Sequence, residues 1–288
     1  MENCIEMKQV SKTYPGFSIQ DMNLVIPKGS IVGLIGENGA GKTTTIKLLL
    51  NEIAKESGEI TIFGKDHIKQ EREIKEDLGV VLDDSFLSEY LTPNDIHRIM
   101  KQFYLNWDED YYHKILQEFQ LPRDKMAKDF SSGMKMKLKI AAVLPHAPKL
   151  LILDEPTSGL DPVARSEILD IFRDFIQDEE HTIFVSSHIT SDLEHIADYI
   201  VFIHQGKIVL YESRDTLVEE YGIAKCSEEE WKHIPSNEYI CFKKERYAYQ
   251  VLIKNRKRFQ KQHPTCLIDR ASIEDIMVMY IKGEKNEK

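Results

Sequence analysis

Long apolar runs are missing from this sequence. No stretch approaches the ~18 consecutive apolar residues of a membrane span, so any crossing of a bilayer would fall to another chain. Cysteine is scarce. Cys4, Cys226, Cys241 and Cys266 are widely spaced and form no Cys-x-x-Cys pair, which argues against a zinc site or a disulfide framework and for a reducing cytosol. The opening "MENCIEMKQV" has no basic-then-apolar targeting segment. Positive charge is in deficit: 38 Lys plus Arg stand against 48 Asp plus Glu, a net charge of -10. So acidic a chain is a poor non-specific nucleic-acid binder, and no nucleic-acid partner is expected. No internal repeat or low-complexity tract is present. What remains is 288 residues, 42 % hydrophobic and 30 % charged, enough for a sizeable core in a soluble globular protein.

The first part alternates short apolar runs with helical patterns. "GSIVGLIG" (29–36) is apolar, β-branched and bounded by glycine, as a buried strand is. "KTTTIKLLLNEI" (42–53) follows as a helix. "KLLILDEP" (149–156) and "HTIFVSSH" (181–188) read as two more buried strands, and "YIVFIHQGKIV" (199–209) as a hairpin or edge pair. Strands alternating with helices predict an α/β core around a mainly parallel sheet. Strand pattern fades between about residues 85 and 148. There "LTPNDIHRIMKQFY" supplies a helix start, with Thr92 as N-cap, Pro93 in the first turn and Asp95 close behind, so a helical subdomain inserted into the core is expected. From Thr216 onward the texture becomes mixed, aromatic and charged. That part holds 14 Lys/Arg and 12 Asp/Glu, about +2, and leaves about -12 in the first 215 residues. We therefore expect a nucleotide-type domain over 1–215 and a small α+β appendage over 216–288.

The chemistry begins at "GENGAGKTTT" (36–45), whose Gly36, Gly41, Lys42 and Thr43 have the spacing of a phosphate-binding loop. A glycine-rich turn lets backbone N–H groups from Gly36, Glu37, Asn38, Gly39, Ala40, Gly41, Lys42, Thr43 and Thr44 converge on phosphate oxygens. The helix that follows points its positive end at the same place. Lys42 would reach the β- and γ-phosphates of ATP, and the Thr43 hydroxyl would ligate magnesium. Such a loop needs acidic partners, and "LLILDE" supplies them. Asp154 at the strand end would hold the magnesium ion through water, and Glu155 would polarise the attacking water.

Further motifs make the pattern specific. "FSSGMKMKL" (130–138) resembles the signature motif of the ABC-transporter ATPases, usually written LSGGQ. "SGLD" (158–161) is similar to that family's D-loop, His188 stands at its switch-histidine position, and Tyr14 in "VSKTYPGF" matches the aromatic residue that stacks on adenine. The motifs occur in the family's order over roughly residues 3–212. The resemblance implies a P-loop NTPase core, ATP and Mg2+ as cofactors, and catalysis by Lys42, Glu155 and His188. It also implies that two ATPase subunits sandwich ATP. Ser131, Ser132 and Gly133 of one would face the loop of the other, with Asp161 at the seam. The chain would need a second ATPase subunit, a homodimer partner or a sister chain, and a separate transmembrane permease, at the inner face of the cell membrane. Within the family it looks closest to bacterial ATPases that export antimicrobial peptides, phenol-soluble modulins or bacitracin-type drugs. Two other readings stay open: a soluble regulatory or non-transport ABC-type ATPase, and a low-activity subunit paired with an active sister.

Three positions depart from the family pattern. Ser132 replaces its first signature glycine and Met134 its glutamine. Ser132 either adds a hydrogen bond or crowds the phosphate. Asp83 in "LGVVLDDSF" stands where the family has glutamine or glutamate, so a water-mediated contact to magnesium and an altered coupling loop are expected there. The nine histidines other than His188 read as surface or satisfied polar residues. The aromatic "FYLNWDEDYY" (103–112) fits partner docking and helix packing equally, and "KNRKRFQK" (254–261) reads as a solvated charged face.

Overall fold

The computed structural model describes residues 2–82, 88–246 and 248–284. The N-terminal part runs β1 (Asn3–Tyr14), β2 (Phe17–Pro27), β3 (Ile31–Ile35), α1 (Lys42–Leu49), β4 (Ser57–Ile62), β5 (Lys65–Asp66), α2 (Glu71–Glu76) and β6 (Leu78–Val81). Three helices follow, α3 (Pro93–Phe103), α4 (Glu109–Glu118) and α5 (Ser132–Ala141). The chain then returns through β7 (Leu150–Asp154), α6 (Pro162–Phe175), β8 (Thr182–Ser187), α7 (Thr190–Ile196), β9 (Tyr199–His204) and β10 (Lys207–Ser213). The last part comprises α8 (Arg214–Glu220), β11 (Gly222–Cys226), α9 (Glu228–Lys232), β12 (Cys241–Lys244), β13 (Tyr249–Ile253), α10 (Arg256–Gln262), β14 (Leu267–Arg270) and α11 (Ile273–Lys282).

The central sheet has the order β10-β9-β3-β8-β7-β6. All its neighbours from β9 to β6 run parallel, and β10 adds an antiparallel edge. β3, β7 and β8 are buried at every residue, as strands covered on both faces must be. The α/β core with its mainly parallel sheet is therefore as expected, and the 199–209 run forms the β9–β10 hairpin. A second sheet, β2-β1-β4-β5, is antiparallel and shares one core with α1 and the facing side of the central sheet. The sequence reading contained no such sheet. Its β1–β2 pairing shifts register between Met7 and Val10, and Gln9 and Asp21 take left-handed backbone (φ 51° and 47°), so the period-2 signal breaks.

The helix after the phosphate loop is shorter than the expected 42–53. It ends at Leu49 because Asn51 turns left-handed (φ 55°). The Glu52 N–H then reaches Lys47 O at 3.0 Å and the Asn51 N–H reaches Leu48 O at 3.3 Å, closing the last carbonyls in a Schellman motif. α3 starts as expected. Thr92 Oγ1 accepts from the Asp95 N–H at 3.2 Å and the Thr92 N–H donates to Asp95 Oδ2 at 3.1 Å. That reciprocal cap is worth about 1 kcal/mol.

Beyond β10 the third sheet, β12-β13-β11-β14, is antiparallel. One side carries a small core of its own with Ala224, Cys226, Val251, Ile253 and Phe259. The other side joins the main core through Cys241, Leu252, Ile273, Ile276 and Met279. Helix α11 fastens it, since the Ile273 N–H donates to Glu194 Oε1 at 2.7 Å and Tyr280 packs edge-on against Phe202.

His146 sits beneath the helical part, its ring stacked on Tyr104 with centroids 3.9 Å apart. Burial pushes its imidazole down to about 4, against ~6.5 in an unfolded chain. The unfolded state therefore takes the proton first. Stability is complete above pH ~6.5 and is lost as pH falls towards 4. Melting temperatures from pH 7 to pH 5 should drop more steeply in the wild type than in His146→Phe. Equal slopes would remove His146 from the acid response.

Candidate functional site

The site is built where β3, β7 and β8 end side by side. After Ile35 the chain turns through Gly36 to Gly41 and enters α1 at Lys42. Glycine is needed at two points of this turn. Gly41 has φ +114°, and a Cβ on Gly36 would stand 2.5 Å from Ile203 O. Lys42 is 6 % exposed and its ammonium spends its protons locally, on Gly36 O at 2.8 Å, Glu37 O at 3.4 Å and Glu155 Oε1 at 3.1 Å.

The carboxylates arrive from β7. Asp154 accepts from the Thr43 hydroxyl at 3.0 Å through Oδ2 and from the Ser186 hydroxyl through Oδ1. Glu155 leaves the strand in left-handed backbone (φ 51°), a costly conformation for a non-glycine residue. The turn is held by the Glu155 N–H, which donates to Ser186 Oγ at 3.1 Å. It aims the carboxylate back at Lys42 on one side and His188 on the other. Glu155 Oε2 accepts from the His188 backbone N–H at 3.1 Å and lies 2.6 Å from its Nδ1. Ser187 steadies this corner by accepting from the Ile189 N–H at 2.9 Å.

These residues border a cleft in two joined halves. One half, about 530 Å³, is lined by Phe17, Glu37, Asn38, Gly39, Gly41, Lys42, Thr43, Thr44, Glu155, Ser158 and His188. The other, about 520 Å³, is lined by Thr13, Tyr14, Gly16, Phe17, Ser18, Glu37, Asn38, Gly39, Ala40, His204 and Gln205. Phe17, Glu37, Asn38 and Gly39 belong to both. The cleft thus joins a half rich in backbone N–H and Lys42 to a half with an exposed aromatic ring, Tyr14. That shape fits a triphosphate and an aromatic base. Thr43 and Asp154 offer two hard oxygen ligands side by side, a donor set that suits magnesium.

The chain matches the ABC transporter family over residues 19–158. A lantibiotic transport ATP-binding protein of Streptococcus pyogenes is 38 % identical over 224 residues, 76 % of this chain and 96 % of the relative. The chain is an ABC transporter ATP-binding protein. The bacitracin transport ATP-binding protein of Bacillus licheniformis is 36 % identical over 212 residues, 73 % of this chain and 69 % of that one. Among solved structures, an ATP binding subunit of an ABC transporter superposes with a TM-score of 0.66 at 29 % identity, over 74 % of this chain and 91 % of that one. An ATP-binding cassette in its ADP conformation superposes with a TM-score of 0.64 at 19 % identity, over 76 % and 96 %, a likeness of fold alone. As an ABC ATPase the chain binds and hydrolyses ATP, and such subunits pair with membrane permease components.

The structure brings together Tyr14, the 36–44 loop, Asp154, Glu155 and His188. Ser131, Ser132, Gly133 and Asp161 line neither half of the cleft. Ser131 caps α5 by accepting from the Met134 N–H at 3.2 Å. Gly133 lets α5 pack on α6, since a Cβ there would stand 2.8 Å from the Ala164 Cβ. Asp161 caps α6 through the Val163 and Ala164 N–H groups, at 3.0 and 3.1 Å. Asp83 lies outside the described residues.

Sequence reasoning missed several residues of the site. Ser186, which bonds both Asp154 and the Glu155 backbone, was hidden in an apolar strand. Phe17 joins the two halves of the cleft, and its ring is 2.9 Å from where a Gly41 Cβ would be. His204 and Gln205 come from the β9–β10 turn, far along the chain. Gly206 (φ +74°) lets that turn close on β2, where a Cβ would meet Ser18 O at 1.9 Å. The signal available was the "HQG" hairpin turn itself.

A second cluster, His97, Glu109 and His113, has the composition of a metal site. The Trp107 indole N–H donates to His97 Nδ1 at 3.1 Å, which puts the ring proton on Nε2, where it faces Glu109 Oε1 at 3.1 Å. Lys101 holds the other Glu109 oxygen at 2.6 Å. With Nε2 a donor, this is a hydrogen-bonded brace between α3 and α4.

Proposed function

We propose that this chain is the motor of an exporter for peptides, toxins or drugs, working as one of two ATPase subunits beneath a separate permease at the inner face of the cell membrane. One observation carries the two-subunit reading. Glu155 touches both Lys42 and His188 at the cleft, while Ser131 to Gly133 stand outside it at the start of α5, free in this reading to serve the cleft of a second subunit. Residues 1–215 form the motor in this reading and 216–288 an accessory domain.

Lys42 binds the β- and γ-phosphates. The backbone N–H groups of residues 36–44 cradle them, and Tyr14 stacks on adenine. Thr43 and Asp154 would hold magnesium, which would supply positive charge to the phosphates. Glu155 orients and polarises the attacking water, and His188, hydrogen-bonded to it, senses the γ-phosphate. No described helix is long and apolar enough to cross a membrane, which suits a motor that works through a permease.

The permease would dock beside the helical part. There Leu50, Leu78, Val80, Leu82, Met100 and Tyr104 border a groove of about 300 Å³. Phe103 and Leu105 stand next to it, 78 % and 95 % exposed. The export substrate class rests on the bacitracin and lantibiotic relatives. ATP hydrolysis across a series of chain concentrations tests the paired motor. A rate that rises more steeply than concentration is expected. A rate strictly proportional to concentration from a chain that stays monomeric with ATP by size-exclusion chromatography would refute pairing, and ATP binding without turnover would assign the missing half of the site to a sister chain.

A further inference from the structure

We propose that the accessory part carries a binding site for a small phosphate-bearing anion, in the pocket between α10 and the edge strand β14. The pocket is an open, solvent-facing hollow of about 590 Å³, lined by Arg256, Lys257, Gln260, Lys261, Ile268 and Arg270. Four of these six side chains are cationic and none is acidic. This is a concentration of one sign in a chain whose net charge is -10.

The fold assembles this set from two elements. Arg256, Lys257, Gln260 and Lys261 stand at i, i+1, i+4 and i+5, one face of α10. On β14, Ile268 and Arg270 alternate onto the sheet face shared with Ala224 and Gly222, their pairing partners on β11. Phe259, one of the buried residues of the local core, seats α10 on that face. Gly222 makes the close approach: a Cβ there would lie 2.9 Å from Asp269 O, 3.1 Å from the Ile268 methyl and 3.3 Å from the Arg256 Cβ.

Two nearby cations are matched outside the pocket, Lys225 with Asp269 at 2.7 Å and Lys254 with Glu212 at 2.6 Å. Asp269, the acid nearest in sequence to the pocket, points to the opposite face of β14 and is spent there. Among the described residues, Arg256, Lys257, Lys261 and Arg270 have no carboxylate within ion-pair distance. Four like charges converging without a counter-charge repel one another, and a multivalent anion relieves that repulsion. Two guanidinium forks and two ammonium groups suit phosphate oxygens. Ile268 and the lysine stems supply an apolar wall. Among the described residues the pocket has no aromatic side chain on which a nucleic-acid base would stack, which favours a small ligand over a single strand.

The test uses the full chain carrying Lys42→Ala, which weakens phosphate binding in the ATP cleft. Inorganic pyrophosphate is titrated by calorimetry, with and without Lys257→Gln and Arg270→Gln, both exposed positions whose loss leaves the core intact. Binding should weaken roughly 10- to 100-fold in the pocket variant. The comparison depends only on the pocket substitutions, so it holds whatever Lys42 does for ATP. Unchanged binding overturns the proposal. So does an equal loss on replacing Lys65 and Lys69, which lie on the ATPase core, because that would mean general surface charge. Co-sedimentation with vesicles of phosphatidylglycerol and phosphatidylcholine separates the sources. Vesicle binding that needs Lys257 and Arg270, without pyrophosphate binding, assigns the phosphate to a lipid headgroup. Pyrophosphate binding without vesicle binding assigns it to a soluble compound. Failure of both overturns the site.

Discussion

Glu155→Gln should lower ATP turnover by about 100-fold or more, the scale of a lost general base, while leaving ATP bound. The substitution is nearly isosteric. The glutamine oxygen still accepts from the His188 backbone N–H, which reaches Glu155 Oε2 at 3.1 Å, so the left-handed turn at residue 155 keeps one of its ties. What goes is the negative charge. An amide cannot take a proton from water, and it answers the Lys42 ammonium, 3.1 Å from Glu155 Oε1, only as a dipole. With hydrolysis stopped and ATP retained, two chains should stay closed on their nucleotides. Size-exclusion chromatography should then show an ATP-dependent dimer. Wild-type turnover in this variant would take the role of base away from Glu155.

Lys42→Ala acts one step earlier, on binding. The ammonium is almost fully buried and is held by Gly36 O, Glu37 O and Glu155, so it is positioned before any nucleotide arrives. Losing its contacts to phosphate should weaken ATP binding by roughly 10- to 100-fold. A second effect follows from the same geometry. Glu155, 14 % exposed, would keep His188 but lose its only lysine partner among the described residues. The nucleotide-free protein should therefore lose about 1–3 kcal/mol of stability as well. A fluorescent ATP analogue measures the first effect and thermal melting the second. Wild-type affinity would refute the phosphate role of Lys42. Weakened affinity with an unchanged melting point would show that the ion pair with Glu155 adds nothing to the fold.

The phosphate turn was legible because its chemistry is local. Strand, glycines, lysine and helix lie within one short stretch, and each needs only its neighbours to adopt its shape. The same holds for the Thr92 cap and for the buried strands, where short apolar runs bounded by turn residues leave little else to form. The N-terminal antiparallel sheet was not legible, because the left-handed residues Gln9 and Asp21 break its alternation and its register is set by partners elsewhere. The helix after the loop was overextended because Asn51, an ordinary helix residue by pattern, turns left-handed where the chain must leave for β4.

The amino-acid order by itself determined the α/β core and the phosphate turn, and it placed Asp154, Glu155 and His188 at strand ends. Short-range sterics and hydrophobic periodicity suffice for those. Tertiary structure alone decided that Ser186 holds both the Asp154 carboxylate and the Glu155 backbone N–H, and that Phe17 joins the halves of the cleft. It alone brought the β9–β10 turn beside the loop and gathered four cations of α10 and β14, unpaired among the described residues, into one pocket. Each of these is a contact between segments distant in the chain. Their meeting is set by how sheets stack and helices pack, which no local pattern encodes.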